Sequence, residues 1–252
     1  MRVSVRSEQQ KLLSGGRLLA GSLTGLICLL LLAGCTAPWQ HSSSTGPAPT
    51  AQQILAAVQK NYRSVSSFHL IMKTANLGSS GTSQLLISAA NGDVLMPDKI
   101  RAQASVLFSG QAVTVNLISV GAQQYITDPI TGQWRPVSGI FDPRLLINPD
   151  TGIISLAGKL QNVTGPTAET VNGTACWLVK GLLPAKDLAF FTGGGVPAGT
   201  MLNTSICAGQ SDELPYEVIV TGEAAVGDTA QTTRTFDISK YNESISITAP
   251  QV

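Results

Sequence analysis

Residues able to do covalent or acid–base chemistry are few: the 252-residue chain has four cysteines and two histidines, with a net charge of +1. Cys28 lies inside an apolar run near the N-terminus and Cys35 closes that run, which leaves Cys176 and Cys207 for the body of the chain. An even pair of this kind reads as a disulfide where the compartment is oxidising. The other arrangement is two separate buried thiols. If joined, the two close a loop of about 30 residues, worth roughly 3–4 kcal/mol in the chain-entropy model. His41 and His69 stand at no ligand spacing to a cysteine, so a metal site lacks its donor set. His69 as a general base needs a nucleophile and an orienting carboxylate; it lies on the polar side of an alternating segment, beside Lys73. There is no Gly-x-Ser-x-Gly motif, and Gly193-Gly194-Gly195 runs into Val196-Pro197 rather than the Lys-Ser/Thr of a phosphate loop. Asp142, Asp150 and Asp187 flank helix starts, where carboxylates commonly cap. The expectation is a protein that is not an enzyme and takes neither metal nor cofactor.

Cys35 is different, because of what precedes it. Arg2, Arg6, Lys11 and Arg17, opposed only by Glu8, lead into 17 mostly apolar residues, Leu18 to Gly34, which end in Leu32-Ala33-Gly34-Cys35. A cationic start, an apolar middle and small residues at the end describe a secretory signal peptide. A membrane span needs ~20 apolar residues; this run is shorter, holds Gly21, Thr24 and Gly25, and has no basic stop-transfer cluster behind it. Cysteine directly after Leu-Ala-Gly resembles the lipobox of bacterial lipoproteins. That resemblance implies that the Cys35 thiol receives a diacylglycerol and that the chain is cut before it. Residues 1–34 are then a lipoprotein signal peptide, and the rest is extracytoplasmic, lipid-anchored to the cell membrane. Residues 35–50 hold the lipidated cysteine and a Ser-, Thr-, Pro- and Gly-rich tether. The domain occupies residues 51–252.

About 218 residues follow the signal, enough for one sizeable domain. Charged residues are only 12% and the net charge is +1, so no electrostatic footprint for nucleic acid is present. Small and β-branched residues dominate, which favours sheet over a helix bundle.

The elements follow from periodicity. Thr50 caps a helix expected over residues 51–64, with Ile54, Leu55, Val58 and Tyr62 on one stripe. Alternation then takes over: Phe68, Leu70 and Met72; Leu85 and Ile87; Ile100 to Phe108; Val113, Val115 and Leu117; and short segments around Tyr125 and Trp134. Residues 142–162 hold two helical candidates around Asn148-Pro149-Asp150. After the turn Val171-Asn172-Gly173, a strand over residues 174–183 puts Cys176, Leu178 and Lys180 on one face, with Trp177 and Val179 on the other. A short helix over Pro184–Phe191 ends at the three glycines, and strands follow at Met201–Ala208, Tyr216–Glu223 and Thr232–Ile238, before a closing segment Ile245–Thr248.

Three features together carry a resemblance: the helix before Ser64-Val65-Ser66-Ser67-Phe68-His69-Leu70, the segment Leu146-Ile147-Asn148-Pro149-Asp150-Thr151-Gly152, and Val171-Asn172-Gly173 before a strand. The chain over residues 51–248 resembles the LppX/LprAFG family of mycobacterial cell-envelope lipoproteins. The resemblance implies an α+β fold, a strongly curved antiparallel half-barrel sheet with helices covering its concave apolar face, and an apolar cavity for acylated lipids or glycolipids. The Cys176 and Cys207 pair lies outside the family pattern. On this reading the sheet wall of the cavity comprises Leu85, Ile87, Ala102, Ala104, Val106, Val113, Val115 and Leu117. The helical cover contributes Leu145, Leu146, Ile153, Leu156 and Leu160. Ala102 and Ala104 have less side-chain volume than a packed interior needs, which leaves either space or a helix seated close. The partners implied are the acylated cargo, the membrane through the lipid on Cys35, and a candidate envelope lipid transporter. The alternative is an envelope sensor or protein-interaction module on the same fold, with no lipid cargo.

Overall fold

The computed structural model describes residues 48–78, 86–108, 111–138, 145 and 147–252. Cys35, Leu85 and Leu146 lie outside the described residues. Helix α1 (Ala51–Tyr62) starts in a capping box: the Gln53 amide donates to Thr50 Oγ1 (3.3 Å) and the Thr50 amide donates to Gln53 Oε1 (2.8 Å). Its stripe Ala51, Ile54, Leu55, Val58 and Tyr62 is buried, as the spacing predicts.

Among the described residues, eleven strands form one antiparallel sheet: β1 (Ser67–Ala75), β2 (Leu86–Leu95), β3 (Lys99–Phe108), β4 (Gln111–Val120), β5 (Gln123–Thr127), β6 (Trp134–Val137), β7 (Gln161–Val171), β8 (Thr174–Pro184), β9 (Met201–Gly209), β10 (Pro215–Thr221) and β11 (Thr233–Ser239). Their order is β6-β5-β4-β3-β2-β1-β11-β10-β9-β8-β7. The two end strands do not meet, so the sheet curves without closing into a barrel. Both edges are poor templates for further pairing: β6 has four residues including Pro136, and β7 carries Gly165-Pro166 and two register shifts.

A single-stranded reading of the sequence misses β7. Its side chains are mostly exposed and show no apolar alternation. β2 also reaches further than the sequence suggests, because a register shift between Ile87 and Ala89 interrupts the period and puts Ala90, Gly92 and Val94 on the face that Ile87 occupies.

The concave face is covered from one end by α1 and a 3₁₀ segment, Ile153–Lys159. The preceding Asn148-Pro149-Asp150 break is an Asx turn: Asn148 Oδ1 accepts from the amides of Asp150 (2.8 Å) and Thr151 (3.2 Å). Gln59 on α1 donates to the Ser155 carbonyl at 3.2 Å and ties the two pieces together. Tyr62, Phe68, Tyr241 and Tyr216 make a chain of ring contacts, with centroids 5.6–6.3 Å apart, that seats α1 against β1 and β10.

Where one short helix is expected over Pro184–Phe191, β8 runs on to Pro184 and a 3₁₀ turn, Ala185–Leu188, leads into the four-residue helix α2 (Ala189–Thr192). Gly193 ends α2 in the left-handed region. Ile245–Thr248 forms no strand, although Ile247 is buried. Cys176 and Cys207 are joined in a disulfide across β8 and β9, with Cα atoms 5.5 Å apart and both residues fully buried. They sit diagonally, Cys176 opposite Gly209 and Leu178 opposite Cys207, on the sheet face opposite to Val179 and Ile206.

Candidate functional site

Two adjacent strands, β2 and β3, place small residues against one another on the concave face. Ala90 on β2 stands opposite Ala104 on β3, and Gly92 opposite Ala102. Ala102 in turn faces Leu117 on β4, and Ala104 faces Val115. Gly92 approaches its partner so closely that a Cβ there would collide with Ala102. Larger side chains surround this patch: Leu70 and Met72 on β1, Ile87 and Val94 on β2, and Ile100 on β3. Phe236 on β11 and Phe191 on α2 complete the lining, their rings 5.6 Å apart at 64°. These residues line an almost wholly apolar, partly open void of about 80 Å³. Such a space stays dry and favours hydrocarbon over water.

Of the residues expected on a cavity wall, Ile87, Ala102, Ala104 and Leu117 line this void. The other described wall candidates do not line this void. Val106 is buried beyond the void, and Val113 and Val115 are half-buried on β4. Ile153 and Leu156 are buried in the core at the α1 end, with Leu160 packed against that core. Leu145 is 43% exposed. The sequence reading omits Ala90 and Gly92, hidden behind the irregularity in β2, and Phe191 and Phe236, which meet only in three dimensions. The one local signal for Phe191 is an apolar pair, Phe190-Phe191, running into three glycines.

The opposite face of the same strands is polar. Asp93 bridges His69 and Arg101: its Oδ1 lies 2.7 Å from His69 Nδ1, and its Oδ2 accepts from Arg101 Nη2 at 2.7 Å. Partial burial works to raise the Asp93 carboxyl, but the bonds from His69 and Arg101 outweigh it and hold it below the usual carboxylate range. With Asn91, Gln103, Asn116 and Trp134 these groups outline a shallow depression of about 280 Å³. His69 is thus committed to an ion network on the solvent side, across the sheet from the void.

Residues 50–247 match the LppX_LprAFG lipoprotein family, which covers most of the chain. The chain belongs to that family. The family's lipoarabinomannan carrier protein LprG from Mycobacterium tuberculosis is 22% identical over 235 residues, spanning 90% of this chain and 92% of LprG. The crystal structure of LprF from Mycobacterium bovis superimposes with a TM-score of 0.65 at 20% identity, over 81% of this chain and 98% of that one. LppX from Mycobacterium tuberculosis gives a TM-score of 0.57 at 15% identity, over 80% of this chain and the whole of the other. These likenesses establish the fold of the LppX_LprAFG domain here: an open antiparallel sheet with few helices.

Proposed function

We propose that this protein is a membrane-anchored extracytoplasmic lipoprotein that binds an acylated lipid or glycolipid between the concave sheet face and its helical cover, and transfers it within the cell envelope. The observation that carries the reading is the apolar void over Ala90, Gly92, Ala102 and Ala104. Family membership supports it, as does the name of LprG, a carrier of lipoarabinomannan. Affinity comes from removing methylenes from water, at ~0.8 kcal/mol each, and demands few polar contacts from the wall. Residues 1–34 serve as the lipoprotein signal, Cys35 carries the anchor, residues 36–50 form the tether, and the domain of residues 51–252 takes the cargo. An envelope lipid transporter supplies or receives that cargo. The role is carriage rather than catalysis.

The test is extraction and mass spectrometry of lipid from the soluble domain beginning at Thr50, purified from a host with an acylated-lipid envelope. One acylated lipid per domain is expected. A domain that emerges lipid-free, and whose melting temperature added lipid does not raise, points to the sensor or protein-interaction alternative.

A further inference from the structure

The void is too small for the cargo. About 80 Å³ is near half of the roughly 150 Å³ that accommodates one benzene in an engineered apolar cavity, and an acyl chain of a dozen or more carbons needs several times that. Some wall must move. The floor is four strands, β1 to β4, joined by continuous ladders, and a packed sheet does not recede to order. The roof is built differently. Phe191 belongs to α2, a helix of only four residues, none of them fully buried. Behind it Gly193, Gly194 and Gly195 all hold positive φ, at +81°, +67° and +87°, so the chain leaves α2 through three residues with unrestricted backbone choice.

We infer that the ring of Phe191 occupies part of the acyl-chain site: it is a resident plug, seated on Phe236, that cargo displaces. The inference rests on the carrier reading above and adds where the chain goes and which residue selects for it.

Two hydrogen bonds tie α2 and the glycines behind it to a neighbouring loop. Thr192 Oγ1 donates to the Ala224 carbonyl at 2.8 Å, and the Val226 amide donates to the Gly194 carbonyl at 3.2 Å. Both partners lie in the loop joining β10 and β11. That loop is itself pinned by a buried ion pair. Arg234 donates both ends of its guanidinium to Asp228 (2.8 and 2.9 Å), and Asp228 Oδ2 also accepts from the amides of Ala224 (3.0 Å) and Ala225 (2.9 Å). The Asp228 side chain is 1% exposed and that of Arg234 7%. A charge pair on the inner face of a lipid-type fold is seldom the cheapest filling. Here it fixes the loop that holds α2, and α2 holds the ring. Asp228 and Arg234 are therefore positioning residues for the plug, which opens as a unit with α2 while the loop stays in place. Cargo that cannot displace the ring is rejected, so the first selection is on acyl length.

Residues 48–252 contain all of the described sheet, core and disulfide, and the LprF chain solved as a crystal matches 81% of this chain. The delipidated domain is accordingly the form to test, with decanoate and palmitate as probes, followed by native mass spectrometry and amide hydrogen exchange. Phe191→Ala is expected to tighten decanoate binding about tenfold, because the probe no longer competes with a closed state, and to change palmitate binding less. In the unmodified domain, palmitate is expected to strip protection from the Val226 amide, whose bond to the Gly194 carbonyl the movement breaks, while leaving β3 and β4 protected. If both domains load palmitate, decanoate affinity is unchanged by Phe191→Ala and the Val226 amide keeps its protection, the plug is wrong and the carrier reading stands. If neither domain loads either probe, the carrier reading fails and takes the plug with it. Should Phe191→Ala fold poorly, hydrogen exchange on the unmodified domain decides alone.

Discussion

Filling the void from its floor separates a cargo site from a packing defect. Ala104 lies on the void, opposite Ala90 and Val115. Ala104→Leu adds the three carbons whose loss opens cavities in leucine-to-alanine variants. At about 24 cal/mol per Å³, a void of about 80 Å³ weighs against the empty protein by about 2 kcal/mol. Filling most of it should return 1–2 kcal/mol, and for a domain of this length that is a rise in melting temperature of roughly 2–8 °C. Ala104→Trp overfills the same space and should cost ~1–3 kcal/mol. The two substitutions thus move stability in opposite directions, and both should lower the lipid load. The assay is thermal melting of delipidated domain together with lipid per protein by mass spectrometry. If Ala104→Leu destabilises, there is no usable space over Ala104. If it stabilises and the lipid load is unchanged, the void exists but cargo sits elsewhere.

Cys35→Ser should abolish fatty-acid labelling and leave an unprocessed precursor; label retained by the variant would remove the anchor from the proposal. Replacing Cys176 and Cys207 by alanine frees a loop with a sequence separation of 31, and the chain-entropy model gives a loss of roughly 3–4 kcal/mol, read as a lower melting temperature with the fold retained. Arg234→Met leaves the Asp228 carboxylate buried without its partner and should cost ~3–5 kcal/mol; adding Asp228→Asn should recover part of it in a double-mutant cycle. Asp93 is held below its ordinary value of 3.8, so its bonds to His69 and Arg101 contribute stability that is full above that value and is lost as pH falls through the lower folded one. Asp93→Asn should flatten the stability profile below about pH 4, and an unaltered profile there would show that the network contributes nothing.

How much of this is visible in the sequence depends on what each strand faces. β3 and β4 are legible because one face meets the interior and the other meets water, so Ile100, Ala102, Ala104 and Val106 alternate with polar neighbours without interruption. β7 is not legible, because an edge strand with both faces largely wet has no reason to alternate. β2 is half legible: its shift after Ile87 moves the inner set by one, and Ala90 and Gly92 then look like loop residues beside Asn91 and Asp93. The cover shows the other limit. Ile153 and Leu156 have helical spacing and do pack on the sheet side, yet they serve the core beneath α1 rather than the void. Periodicity tells that a face is buried and leaves open against what.

The void follows from curvature and from where the small residues fall. When a sheet curls without closing, side chains on the concave face converge, and ordinary branched residues fill the space between them. At the ends of β2 and β3 they do so, with Val94, Ile100 and Val106 all buried. Midway along the same pair, two alanines, a glycine and a third alanine meet in one block, Ala90 with Ala104 and Gly92 with Ala102. Among the described residues, Phe236 on β11 and Phe191 on α2 cover that block. Neither edge can relieve the arrangement by pairing onward, since β6 is short and β7 is broken by Gly165-Pro166. The block of small residues therefore leaves a hollow that, among the described residues, two aromatic rings cover, and a hollow covered by a ring that cargo can displace is suited to taking up a chain and giving it back.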